Sequence, residues 1–408
     1  MPILTWPSKH HSDPQPASLI NDSIIYPGGR GYPNVQPENR LLLGDNLAVM
    51  SALLPEYEGR INLIYADPPF FTNRKYSARI GRGEDSRKPE GWALAEGYHD
   101  HWLDLDTYLD FLYQRLQLMY RLLSPNGTLY LHLDWHVDSY ARVLLDEIFG
   151  HDHLLNEIIW TYHGPSPIRR AFNRKHDTIL AYVKGDGYVF NADAVREPYH
   201  PSTIQTFKAS PKAGFGKVPD LERGKVPEDW WYFPVVARLH NERTGYPTQK
   251  PESLLERIIL ASSNKDDLVA DFFCGSGTTP VVAARLERKF IASDIMLRAV
   301  HTICQRLTAS SAESFSLERD ACFDLRYSTS EKIKAEISSG VVKINTRLPI
   351  DYWEVDPAWD GKIFMSAAQA QRPLRSGEIP KELRIKTGHK VCIRFVTVDG
   401  EMFQIVKE

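Results

Sequence analysis

Residues 66–71, Ala-Asp-Pro-Pro-Phe-Phe, follow the apolar run Ile61–Tyr65 and place an acid, two prolines and two aromatics at one chain reversal. Prolines end a strand because they bring no amide to a sheet ladder. The same corner can also do chemistry on an amine. A carboxylate at Asp67 and the carbonyl of Pro68, held rigid by Pro69, can accept both N–H bonds of an exocyclic amine and stabilise the positive charge that grows on its nitrogen. Phe70 offers a face for a base to stack on, an interaction worth about 1 to 3 kcal/mol. Phe71 reads as core.

A second constellation lies some two hundred residues later. Val269–Thr279, VADFFCGSGTT, reads as a strand, a glycine turn and the start of a helix. Gly275 and Gly277 can take positive φ and let backbone amides approach a ligand, and Thr278 or Thr279 can cap the helix. Asp294, closing the next strand, stands about where an acid reaches ribose hydroxyls in a doubly wound fold. There is no GxxxxGK[ST] lysine, and Pro280 occupies the place of the third glycine of a dinucleotide loop, so phosphates are disfavoured as the main ligand. Asp271, just before the loop, suits a cationic amine such as that of the methionine part of S-adenosylmethionine.

The elements that must position these residues follow a regular rhythm. RLLLGDN and INLIYADPP read as strands around the helical LAVMSALL; TYLDFLYQRLQLMYRLLS is a helix leading into the strand TLYLHLD; EIIWTY and DTILAYV are two more strands. The rhythm breaks over residues 190–245, which are polar, basic and aromatic. It resumes with the helix PESLLERIILASS, the glycine-loop strand, the helix TTPVVAARLERK and the strand FIASD. Strands alternating with helices on both sides of an interruption predict one parallel α/β sheet covered on both faces. In such a sheet the strands bearing Asp67 and Asp271 can be neighbours at the switch point and share one crevice. Residues 1–38 read as a mostly irregular arm. KVCIRFVTVDGEMFQIVKE near the end reads as a hairpin about an Asp-Gly turn.

Composition bounds the rest. A chain of 408 residues suggests a main domain with additions. Its four cysteines, Cys274, Cys304, Cys322 and Cys392, form no CxxC pair, and His132 and His136 have no metal-site partners, so neither a disulfide framework nor a metal is indicated. No signal peptide or membrane span is read, and a cytoplasmic location is expected. A formal net charge of -3 means that contacts to phosphates must come from local patches.

Together these motifs resemble the amino-methyltransferases of DNA. DFFCGSG is similar to their cofactor loop, ADPPF to their catalytic (D/N/S)PP(Y/F/W) tetrapeptide, and YPTQKP at 246–251 to the segment that folds over the methionine moiety. The order of catalytic motif, variable region and cofactor loop is that of the family's β class. The resemblance implies a class I methyltransferase fold in permuted order: a Rossmann-like, doubly wound, mostly parallel sheet with an inserted target-recognition region and a small β-rich C-terminal appendage. The expected divisions are 39–189 for the catalytic half, 190–245 for target recognition, 246–325 for the cofactor half and 326–408 for the appendage. The resemblance also implies S-adenosyl-L-methionine as cofactor, held by Asp45, Thr248, Gln249, Lys250, Pro251, Asp271, Phe273, Gly275, Gly277, Thr278 and Asp294. By the same resemblance, Asp67, Pro68, Pro69 and Phe70 are the expected catalytic residues.

The implied partner is duplex DNA, with the target base flipped because a paired base cannot reach such a pocket. Aspartate as first residue of the tetrapeptide favours N6 of adenine over N4 of cytosine. The long segment 72–98 supplies Arg74, Lys75 and Arg79, and SPIRRAFNRKHD supplies Arg169, Arg170, Arg174 and Lys175, as expected phosphate contacts. The tryptophans and aromatics at 230–233 read as the core that docks the target-recognition region. A restriction endonuclease or other restriction-modification subunit, and a second copy of the chain, are further partners that the family admits. The readings left beside this one are an amine methyltransferase acting on RNA or protein, and a noncatalytic nucleic-acid-binding subunit.

Overall fold

Short apolar runs bounded by glycine, proline and acidic residues form the strands. In chain order these are Leu19–Ile25 (β1), Asn39–Leu43 (β2), Ile61–Ala66 (β3), Arg74–Ile80 (β4), Ala93–Asp100 (β5), Leu123–Leu133 (β6), Leu154–Thr161 (β7), His176–Val183 (β8), Trp230–Tyr232 (β9), Leu268–Asp271 (β10), Lys289–Asp294 (β11) and Phe315–Asp320 (β12). The helices are Asn46–Tyr57 (α1), Leu105–Leu122 (α2), Asp138–Phe149 (α3), Pro201–Ala209 (α4), Glu252–Ser262 (α5), Thr278–Arg285 (α6) and Leu297–Ala309 (α7). The tail adds Ile333–Ser338 (β13), Val341–Thr346 (β14), Ile350–Asp356 (β15), Phe364–Ser366 (β16), Ala368–Gln371 (β17), Glu382–Arg384 (β18), Val391–Thr397 (β19) and Met402–Lys407 (β20). The computed structural model describes residues 3–9, 14–80, 93–164, 168–209, 219–237, 240–310, 312–373, 378–386 and 390–408, with the backbone alone for 78–80, 93–96 and 99.

An 11-stranded sheet in the order β16-β1-β12-β2-β11-β10-β3-β6-β8-β7-β9 is the frame. Its centre, from β12 through β6, is parallel. The expectation of one parallel sheet needs correcting at both sides. β8 runs antiparallel to β6 and β7, and β1 runs antiparallel to β12. A parallel crossover needs a long connection, usually a helix. Between β7 and β8 lie only residues 162–175, which carry no helix among those described.

Period-two alternation assigns each strand's side chains to the two faces. Leu42, Ile64 and Ala66 join the core under α1, α2 and α3. Leu41, Leu43, Leu63 and Tyr65 join the core under α5, α6 and α7. Helix α2 shows how such packing is specified. Asp104 caps its first turn by accepting from the Thr107 amide at 2.8 Å, and Leu109, Leu112, Leu116 and Met119 repeat at helical spacing and are buried. Strand β10 pairs with β3 through Val269↔Leu63 and Ala270↔Ile64, and with β11 on its other side. The chain leaves β10 and β3 in opposite directions across the sheet, so their C-terminal ends open a crevice there.

The first 38 residues contribute one element to the sheet, β1, which also pairs in parallel with β16 of the tail. The tail otherwise builds a four-stranded sheet, β17-β15-β19-β20, and a three-stranded one, β13-β14-β18, around a separate core that includes Trp353 and Phe395. The expected hairpin is β19–β20, turning at Asp399-Gly400. Arg394 on β19 reaches Asp22 on β1 at 2.8 Å and joins tail to sheet. Among the described residues no helix is long and apolar enough to cross a membrane.

Candidate active site

Asp67 follows the last residue of β3, and the backbone reverses over the next four residues. Phe71 holds a φ of 62° and Asn73 one of 53°, conformations a non-glycine residue adopts only when its surroundings enforce them. The enforcing group is Asp100 at the end of β5. Its carboxylate, 1% exposed, accepts from the Phe71 amide at 3.0 Å, the Thr72 amide at 2.8 Å, the Thr72 hydroxyl at 2.6 Å and the Trp102 indole at 2.7 Å. Tyr108 on α2 donates to the Pro69 carbonyl at 2.8 Å. Phe71 packs against Tyr108, with ring centroids 5.6 Å apart, as core.

Behind the corner the Tyr65 hydroxyl meets His132 Nδ1 at 2.7 Å, and His132 Nε2 meets Asp177 at 3.3 Å. His132 is fully buried and sets its ring 5.8 Å from that of Phe70. It backs the aromatic wall. Asp67 itself is divided. Its Oδ2 accepts from the Lys250 ammonium, while its Oδ1 is buried with no hydrogen-bond partner. A buried acceptor left unmet costs about 1 to 3 kcal/mol, so this oxygen favours any donor that enters.

The corner and the glycine loop line one cavity of about 810 Å³. In the loop, Asp271 accepts from the Phe273 amide at 2.9 Å and from the Thr279 hydroxyl. Asp294 accepts from the Gly275 amide at 2.8 Å and the Met296 amide at 2.8 Å. Burial pushes the Asp271 carboxyl up to about 7; the bonds from Thr279 and Phe273 oppose this, and the charges of Asp67 and Asp294 add to it. Burial likewise raises Asp294 to about 6, against amide bonds that favour its ionised form. A buried acid, Asp271, and a half-buried one, Asp294, both short of charge compensation, make a floor that favours a cation or hydroxyl donors.

One sequence expectation for the loop needs correction. Neither threonine caps α6: Gly277 occupies the N-cap without a side-chain bond, Thr278 donates to the Lys250 carbonyl at 3.0 Å and Thr279 to Asp271. Gly277, at φ 78°, also serves packing, since a Cβ there would stand 2.5 Å from Ile303 Cγ1 on α7. Gly277 and Pro251 are absent from the cavity lining; Pro251 is the N-cap of α5.

Thr248, Gln249 and Lys250 line the cavity, as do Phe273, Gly275 and Thr278. The Gln249 amide is committed to its own loop, accepting from Thr244 at 3.0 and 2.9 Å and donating to the Glu242 carbonyl at 2.7 Å. Asp45 also lines the cavity. It caps α1 through the Leu47 amide at 2.8 Å and accepts from Arg115 at 3.1 Å. Burial pulls Arg115 down to about 10, and its guanidinium lies 3.7 Å from the Phe111 ring centroid.

The long segment after the corner is a two-stranded antiparallel ribbon, β4–β5, over its described part; residues 81–92 lie outside the described residues. Arg74 and Lys75 are exposed on β4, and Arg74 lines the cavity. The side chain of Arg79 is outside the described set. Arg169 and Arg170 are exposed and absent from the lining. Arg174 does line it, with its guanidinium 4.0 Å from the Trp135 ring centroid, and Lys175 is partly buried. In the inserted region Trp231 is buried, with Arg257 5.1 Å from its ring, whereas Trp230 and Tyr232 are 62% and 51% exposed. The docking core expected of these aromatics is therefore Trp231 with Phe233, while their neighbours on β9 point outward.

Sequence reading missed Asp100, Tyr108, Arg115 and Trp135. Arg115 alone left a signal, as a charge within the apolar stripe of α2.

A doubly wound sheet that brings an Asp-Pro-Pro corner and a glycine loop to one switch point, with the corner first in the chain, defines a β-class amino-methyltransferase that uses S-adenosylmethionine. The chain belongs to the DNA methylase family of N6 and N4 enzymes, whose model matches residues 61–305. It is 32% identical over 253 residues to the type II methyltransferase M.HpaI of Haemophilus parainfluenzae, which spans 61% of this chain and 69% of that one. It is 30% identical over 277 residues to the DNA adenine methyltransferase YhdJ of Escherichia coli K12, spanning 66% and 83%. Among solved structures it resembles the M1.HpyAVI–SAM complex, with 21% identity, a TM-score of 0.44, and coverage of 66% of this chain and 98% of that one.

Proposed function

We propose that this DNA methyltransferase methylates the exocyclic N6 of an adenine flipped out of duplex DNA. The observation that carries the reading is the buried, unmet Oδ1 of Asp67 at the wall shared with the glycine loop. The residues at that loop suit S-adenosylmethionine: Asp271 would face the amine of its methionine part, Asp294 would take the ribose hydroxyls, and Phe273 with Asp45 would border the adenine side. The cofactor supplies an electrophilic methyl group on a sulfonium.

Asp67 Oδ1 and the Pro68 carbonyl accept the two N–H bonds of the target amine, the Pro69 carbonyl being engaged by Tyr108. This pulls the nitrogen toward tetrahedral geometry and frees its lone pair from the ring. Phe70, backed by His132, holds the base by stacking. As the nitrogen–carbon bond forms, the carbon–sulfur bond of the sulfonium would break to leave a neutral thioether; the nitrogen becomes cationic, Asp67 stabilises that charge, and one proton then passes to solvent.

Arg74 and Arg174, at the cavity, together with Lys75, Arg79, Arg169, Arg170 and Lys175, serve the DNA backbone. The exposed Trp230 and Tyr232 belong to the target-recognition face. A restriction endonuclease and a second copy of this chain are candidate partners within the same reading. Sequencing of modified bases in DNA from a methylation-free host expressing the chain tests it: a recurring motif carrying N6-methyladenine is expected. N4-methylcytosine in the motif would transfer the reading to cytosine, and unmodified DNA would sink it.

Asp271 adds a prediction on pH. Its folded value is raised, so in the ligand-free protein it contributes stability that is full below ~4 and lost as pH rises through about 7. A cationic ligand favours the ionised form and reverses that loss. Cofactor affinity measured by calorimetry is therefore expected to be about tenfold or more weaker at pH 5.5 than at pH 8.5. Asp271→Asn should bind weakly with a flatter profile. An equally steep profile in that variant would remove Asp271 from the role.

A further inference from the structure

Lys250 is unusual among the cavity residues because it engages both halves of the site at once. Its ammonium is paired with Asp67 Oδ2, its carbonyl accepts from the Thr278 hydroxyl at the start of α6 at 3.0 Å, and its Nζ lies 5.2 Å from the Phe70 ring centroid. The residue is 9% exposed. The sequence resemblance groups it with the segment over the methionine moiety, yet its charge is spent on the catalytic corner. A second cation beside a sulfonium would also be a poor cofactor ligand, since like charges at close range in a cavity repel.

We propose that Lys250 is a positioning residue for methyl transfer, fixing Asp67 through Oδ2 so that Oδ1 is left to accept the target amine, and tying that arrangement to the cofactor loop through its carbonyl. The inference rests on the proposed methyl transfer to DNA. A carboxylate bound on one oxygen by a nearly buried cation has one rotamer, and its second oxygen is aimed without further cost. The cation also brings positive charge to a cavity that Asp67 shares with Asp271 and Asp294.

Charged and titratable groups surround this pair. Tyr65 on β3, Tyr98 on β5 and Tyr108 on α2 are all raised by burial and stay neutral across the working range. The charge of Asp67 adds to the burial that raises Asp271 on β10, and on β8 the Lys250 charge joins the bond from His132 in lowering Asp177 against its burial. Lys250 thus carries positive charge into a group of acids, and its loss would leave Asp67 without the partner that fixes Oδ2.

The test compares wild type, Lys250→Met and Lys250→Arg in methylation of duplex DNA, reading kcat at saturating cofactor and DNA, with cofactor Kd measured separately. In Lys250→Met, kcat at pH 8 is expected to fall about 10- to 100-fold, and Kd for the cofactor to stay within about threefold. Lys250→Arg keeps a cation and should recover most of the lost kcat, which also serves if the methionine variant does not fold. Wild type without DNA methylation would overturn the functional reading itself. Active wild type with an unchanged kcat in the methionine variant would overturn the role of Lys250 alone. So would a loss confined to cofactor affinity, which would make Lys250 a cofactor ligand, and so would an arginine variant whose kcat falls as far as that of the methionine variant.

Discussion

Asp67→Ala is expected to lower the rate of DNA methylation by about a thousandfold or more, with cofactor affinity retained within about threefold. The size follows from what is lost together: an acceptor for the amine proton and a charge placed where positive charge grows, both held in position before the base arrives. The unmet Oδ1 stores no bond in the ligand-free protein, so its removal costs the resting state little. The loss should fall on kcat. Because alanine also strips Lys250 of its partner, Asp67→Asn is the proper companion. It keeps an acceptor oxygen without the charge and should lie between alanine and wild type. Single-turnover methylation of duplex DNA alongside calorimetric cofactor binding measures both. Methylation that persists in the alanine variant removes Asp67 from the chemistry.

Asp100→Ala is expected to be the most damaging change away from the reacting atoms. Its carboxylate receives four hydrogen bonds from the corner and from Trp102, and alanine leaves those donors buried without an acceptor. At about 1 to 3 kcal/mol for each unmet group, moderated by water that enters, a loss of about 3 to 5 kcal/mol in stability follows. The positive φ of Phe71 is then unsupported, so activity should drop by about a hundredfold in the fraction that remains folded, as misplacement of a reactive group by one ångström does. Urea unfolding gives the first figure and kcat under native conditions the second. A variant as stable as wild type would show that the corner stands without Asp100.

What could be read from the chain and what could not divide along one line. The strand before Asp67, the glycine turn and Asp294 were legible because each is a local pattern: an apolar run, a loop that demands glycine, an acid one strand further on. Their meeting followed from doubly wound topology, and β10 does lie beside β3. The antiparallel β8 was not legible, because apolar alternation says nothing of strand direction. Asp100 and Tyr108 act on residues 28 to 39 positions away, and nothing in their own neighbourhoods marks them. Gly277 takes the positive φ expected of it, but its need for glycine comes partly from Ile303 on another helix, which no reading of the loop alone includes. Lys250 stood in the right motif, but its partner at residue 67 is visible only in three dimensions.

The ribbon β4–β5 leaves the corner at one end and returns to it at Asp100. Since that residue closes the base, the bonds that set the corner's shape run between residues 71–73 and 100–102, at the foot of the ribbon. One buried carboxylate thus acts as a hinge pin between the strand ladder and the reacting corner. A substitution in the ladder beyond it would have to work through that pin to disturb the transfer step.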